Sequence, residues 1–139
     1  MKPPASEEKV IDDGYGLQFV GKTPEFIKEI MDILKESLDY YVNDLEKITD
    51  EWDQEEGTHQ WFIRHLEENL EQGEPWVNLN DPEAVAKARE DIEKTKAQYA
   101  REKQRFEEEK KKDEDNIAIR KAKLVVLEDA LKHAQQGPA

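Results

Sequence analysis

The chain contains no cysteine among its 139 residues, so it can build no disulfide, thiolate metal site or cysteine nucleophile. It also lacks long hydrophobic runs, and no stretch approaches the ~20 apolar residues of a membrane-crossing helix. The opening MKPPASEEKV has no apolar core of the secretory-leader kind. Walker loops, G-x-S-x-G elbows and glycine-rich dinucleotide turns are missing too. From these absences we expect a cytoplasmic, non-enzymatic protein with no cofactor.

Charge is abundant instead, at 40% of residues, with a net of −13. Residues 1–80 carry 20 Asp and Glu against 7 Lys and Arg, a net of −13, while residues 81–139 carry 14 against 14. The whole excess therefore sits in the first part of the chain. Such a field disfavours direct binding to nucleic acid or an anionic membrane and favours a basic protein.

Residues 1–13 are polar, with Pro3 and Pro4, and are expected to be a mobile terminus. In DGYGLQFVGK, Tyr15, Leu17 and Phe19 alternate with small or polar residues, which predicts a short extended segment lying on the helices, with an edge strand as the alternative. Thr23-Pro24 then opens a helix by a capping hydroxyl and a proline at the first helical position. Ile27, Met31, Leu34, Leu38, Tyr41, Leu45, Ile48 and Trp52 follow at alternating steps of four and three, a coiled-coil seam. Phe26, Ile33 and Tyr40 form a second row at spacing seven, so residues 26–42 are expected to touch two neighbours.

Gly57 is expected to end this helix at about residue 56, and Thr58 to cap a second helix over 59–72 with Trp61, Phe62, Leu66 and Leu70 buried. Asp81-Pro82 repeats the cap-then-proline start. Val85, Ile92, Tyr99 and Phe106 recur every seven residues, and Ile117, Leu124 and Leu131 do so again after the apolar-free stretch EEEKKKDEDN. Glu107–Lys111 and Glu108–Lys112 are helix-favouring pairs, which suit one continuous helix. The flanking rows are also symmetric about the junction of Lys111 and Lys112, and Asp113, Asp115 and Asn116 suit a turn. A hairpin is the expected outcome, with helices over 82–112 and 115–135 and a tail at 137–139. The predicted fold is thus all-α: an elongated antiparallel bundle or coiled-coil hairpin forming one helical domain over 14–136.

Metal chemistry has weak candidates. Glu56-x-x-His59 matches half of a di-iron carboxylate unit, but the second half is missing. DEDNIAIRKAKL begins like a calcium loop, yet has Ala118 for glycine and Leu124 for the closing glutamate. No metal is expected. Trp52, Trp61, Phe62 and Trp76 are expected to form the end core of the bundle, an exposed aromatic hot spot being the alternative.

The pattern with a physical consequence is acidic. Glu25, Glu29, Asp32, Glu36, Asp39, Glu46, Asp50 and Asp53 fall on the helix face opposite the seam, with Asn43 filling the one gap. Each like-charge step of three or four costs a few tenths of a kcal/mol. The stripe can be a solvated outer face or a binding surface. On the second reading the chain is a non-enzymatic binding protein for a Lys/Arg-rich partner, inhibiting a nucleic-acid-binding protein or toxin by mimicking a phosphate backbone. A second stripe would draw on Glu55, Glu56, Glu67, Glu68, Glu71 and Glu74. The alternative function is a structural coiled coil that self-associates, as a homodimer or assembly component.

Overall fold

The structure, a computed structural model, describes residues 14–136. The expected mobile terminus and tail lie outside the described residues. A short 3₁₀ helix, Tyr15–Phe19, precedes two long helices, α1 (Pro24–Gln72) and α2 (Pro82–Gln136). The fold is all-α, an antiparallel helical hairpin, and no strand occurs among the described residues. No helix among them is long and apolar enough to cross a membrane.

Both helix starts follow the local chemistry. Thr23 Oγ1 accepts the Phe26 N–H at 3.2 Å, and Asp81 Oδ1 accepts the Glu83 N–H at 3.0 Å. Each side chain satisfies one of the donors a helix start leaves open. At the far end of α1, Gly73 has φ 77° and donates its N–H to the Asn69 carbonyl at 3.0 Å. That left-handed cap suits glycine. A Cβ at Gly73 would also lie 2.8 Å from Leu79 Cδ1.

The chain divides into two compact units. The first comprises residues 14–46 and 110–136 of the described chain, the second residues 47–109. In the first unit, Ile27 and Met31 of α1, Leu127 of α2 and Phe19 form the buried core, and Tyr15, Leu34, Leu124 and Leu131 pack against it. The Tyr15 and Phe19 rings meet edge to face at 5.2 Å, and burial pushes the Tyr15 hydroxyl up from its ordinary pKa.

In the second unit Trp52 and Ile92 are buried. The Trp52 ring stacks on Phe106 at 5.4 Å and meets Tyr99 edge-on at 6.1 Å. Further along α1, His59 pairs with Glu102 and Glu67 with Lys96 at 3.7 Å. Rising numbers on α1 thus meet falling numbers on α2, the antiparallel order. The eight seam residues from Ile27 to Trp52 are all buried or half-buried.

Four expectations are corrected. The segment at 15–19 is a 3₁₀ helix rather than an extended one, because Gly14 enters it at φ 65° and the Leu17 N–H donates back to the Gly14 carbonyl. Phe19 is then buried in the core and Tyr15 packs against it, while Leu17 is exposed. Second, α1 does not end at Gly57 but continues to Gln72. An interior glycine costs ~1 kcal/mol, a penalty that packing on either side exceeds.

Third, residues 107–116 are not a hairpin turn, and α2 runs through them. The row Val85, Ile92, Tyr99, Phe106 continues at sevens through Asp113, Arg120 and Leu127, and none of the seven is exposed. The inward positions here are polar rather than vacant. Arg120 Nε donates to Ser37 Oγ, Nη1 donates to Asn116 Oδ1 at 3.0 Å, and the guanidinium lies 4.4 Å from the Tyr41 ring centre. Arg120 does for this stretch what a leucine does elsewhere in the seam. Fourth, Phe26, Ile33 and Tyr40 are exposed among the described residues rather than covered by a second helix, with Phe26, at the end of the row, meeting the Phe19 ring.

Candidate partner-binding surface

The surface begins with helix geometry. A seam at steps of three and four turns one face of α1 inward, so residues half a turn away must point outward. All eight carboxylates singled out by spacing are exposed. Glu25, Glu29, Asp32, Glu36, Asp39 and Glu46 lie on the α1 segment of the first unit, Asp50 and Asp53 on that of the second. Glu25 stands in the first turn, where the helix dipole favours an anion. None of the eight takes part in any ion pair or side-chain hydrogen bond found among the described residues.

The contrast with α2 is chemical. There Lys94 pairs with Glu90 at 2.8 Å, Arg105 with Glu109 at 3.7 Å and Lys110 with Glu114 at 3.9 Å, each one turn apart. The hydrogen bond from Lys94 holds the Glu90 carboxyl below its ordinary range, and Glu90 in return holds Lys94 above its own. The α2 helix neutralises itself along its own surface, whereas the outer face of α1 leaves its carboxylates to solvent.

The proposed source of a second stripe is only partly available. Glu56 Oε2 accepts the Tyr99 hydroxyl at 2.7 Å, and Glu67 faces Lys96. Glu55, Glu68, Glu71 and Glu74 are exposed. The Glu56–His59 pair serves the contact between α1 and α2 in the second unit, through Tyr99 and Glu102. No group of three or more potential metal ligands is gathered among the described residues.

The aromatic cluster divides. Trp52 is buried, whereas Trp61, Phe62 and Trp76 are exposed and form no end core. The cause is the unbroken run of α1 past Gly57. The inward positions continue at His59, Ile63, Leu66 and Leu70, which turns Trp61 and Phe62 outward. The Trp61 ring stacks on His65 at 5.0 Å, and Trp76 meets the same imidazole at 6.4 Å. Spacing beyond Gly57 was the signal that could have found this outward turn. Compared with known proteins, the chain matches no family model, no curated protein and no solved structure.

Proposed function

We propose that the chain is a non-enzymatic binding protein whose acidic N-terminal surface engages a basic protein. The observation that carries this reading is the set of eight exposed carboxylates on α1, none of them in an ion pair found among the described residues. A helix that serves only as a solvated face can interleave lysine with glutamate, as α2 does, and avoid the like-charge penalty. A row of carboxylates along one helix suits lysines and arginines arranged to receive phosphates. The use this chemistry fits best is occupying such a groove in a nucleic-acid-binding protein or toxin and so inhibiting it.

The test is affinity capture at low and high salt, with the captured proteins identified and their charge compared with the input. Lys/Arg-rich proteins should be retained at low salt and released at high salt. Reversing Glu29, Asp32, Glu36 and Asp39 to Lys should abolish their retention. Retention that survives the reversal, or a captured set no more basic than the input, refutes the reading. Self-association as a structural coiled coil is the second reading, favoured by the exposed row Phe26, Ile33 and Tyr40. A strict monomer in sedimentation across a wide concentration range would exclude it.

A further inference from the structure

Phe26, Ile33 and Tyr40 on α1 are 40%, 61% and 65% exposed. They recur at sevens, so they form one row along the helix, with neighbours ~10.5 Å apart and a span of ~21 Å. Glu29 lies three residues after Phe26 and four before Ile33, and Glu36 stands in the same relation to Ile33 and Tyr40. The order Phe26, Glu29, Ile33, Glu36, Tyr40 therefore steps by three and four. That is the spacing of a coiled-coil seam, with apolar and anionic positions in alternation.

The face has an inner and an outer border. On the core side, half-buried Ile30 packs on the first unit's core, and half-buried Ser37 is held by Arg120. On the outer side, Asp32 and Asp39 continue the carboxylates beyond Glu29 and Glu36. The Phe26 ring is steadied from its own end of the helix by Phe19, at 6.3 Å between centroids, and by the Lys22 ammonium, 5.7 Å from the ring centre. No residue of α2 appears in any ring contact with Phe26 or Tyr40 among the described residues.

We propose that this second seam is the docking face for a basic amphipathic α-helix of a partner protein. Apolar side chains at spacing seven would lie against Phe26, Ile33 and Tyr40, with Lys or Arg between them opposite Glu29 and Glu36. Charge selects this occupant over a second copy of the chain. Two copies meeting here would bring their own Glu29 and Glu36 together in the seam, and like charges juxtaposed in an interface oppose association. A basic helix turns the same carboxylates into partners, and the apolar row supplies affinity that salt does not screen. The inference rests on the acidic-surface reading and deepens it by specifying the partner's secondary structure and pattern.

The test uses the whole chain and two labelled synthetic peptides of roughly 21 residues, long enough to cover the row. One carries leucine at spacing seven with lysine between, on an alanine and glutamine background. The other is a scramble of the same composition. Binding is read by fluorescence anisotropy at low and high salt, with circular dichroism as the fold check. Ile33→Ser and Tyr40→Ser remove only exposed side chains, so each is expected to keep the helical spectrum.

The patterned peptide should bind about tenfold or more tighter than the scramble at high salt, the discrimination that apolar contacts typically give. Either substitution should erase most of that advantage while leaving low-salt binding of the scramble unchanged. Equal affinity for the two peptides, or an advantage that survives both substitutions, overturns the docking face and leaves the acidic-surface reading standing. Failure of both peptides to bind at low salt overturns the acidic-surface reading itself, and the docking face with it. Concentration-dependent dimerisation abolished by Ile33→Ser assigns the row to a second copy instead and also overturns the proposal.

Discussion

Gly57→Ala tests the continuity of α1 by the sign of its effect. Gly57 lies inside α1 and is not among the glycines with positive φ. A Cβ built there meets nothing within 4 Å. The substitution therefore adds a methyl group to an open helix surface, with no steric penalty. Alanine is favoured over glycine in a helix interior by ~0.8–1.0 kcal/mol, partly because glycine leaves the unfolded chain more freedom to lose. Were Gly57 a left-handed helix stop, the same methyl group would cost ~1–2 kcal/mol. Gly73 supplies the control within the same helix, since its φ is 77° and its Cβ would meet Leu79 at 2.8 Å. The assay is urea denaturation followed by far-ultraviolet circular dichroism, comparing midpoints at equal slope. With a slope of about 1–3 kcal/mol per molar, Gly57→Ala should raise the midpoint by roughly 0.3–1.0 M. Gly73→Ala should lower it. A lowered midpoint for Gly57→Ala would refute the continuous helix and the outward placement of Trp61 that depends on it.

Lys111→Pro probes α2 in the same way. The exposed Lys111 lies deep inside the helix, so proline should destabilise by ~3 kcal/mol or more against a Lys111→Ala control. A difference below ~0.5 kcal/mol by the same denaturation would indicate a turn at this point. Trp52→Ala, at a side chain 7% exposed and stacked on Phe106, should cost ~3–5 kcal/mol, whereas Trp61→Ala, 57% exposed, should cost less than ~1 kcal/mol. Equal losses at the two tryptophans would contradict their different burial.

The seam from Ile27 to Trp52 was legible in the sequence because a large apolar residue occupies every inward position, and such a pattern admits one helix face only. The exposed carboxylates follow from the same pattern, being what remains on the other side. Gly57 misled because local propensity marks it as a stop, while the contacts of Trp52 and His59 with α2 lie across the chain and leave no local trace. Residues 107–116 misled for a related reason. Apolar anchors are missing there, and the inward positions are filled by Asp113, Asn116 and Arg120. Counting on by sevens from Phe106 would have reached Arg120, but nothing in its neighbours announces that Ser37 and Tyr41 would meet it. The row Phe26, Ile33, Tyr40 has the spacing of a covered face, and among the described residues it is left exposed.

Arg120 also bears on how α1 and α2 find their alignment in the first unit. An apolar seam is nearly indifferent to a slide of seven residues, because one leucine or isoleucine replaces another. The guanidinium is not indifferent. Moved one heptad toward the start of α1, it would face Ile30 and Leu34, which offer neither a side-chain oxygen nor a ring. Moved one heptad the other way, it would exchange the Tyr41 ring for Ile48 but the Ser37 hydroxyl for the half-buried Asp44 carboxylate, so that slide keeps a polar partner. A guanidinium stripped of water without its partners costs several times what a mismatched methyl group does. A single polar side chain thus acts as a vernier mark, setting an otherwise repetitive interface against a slide toward the start of α1.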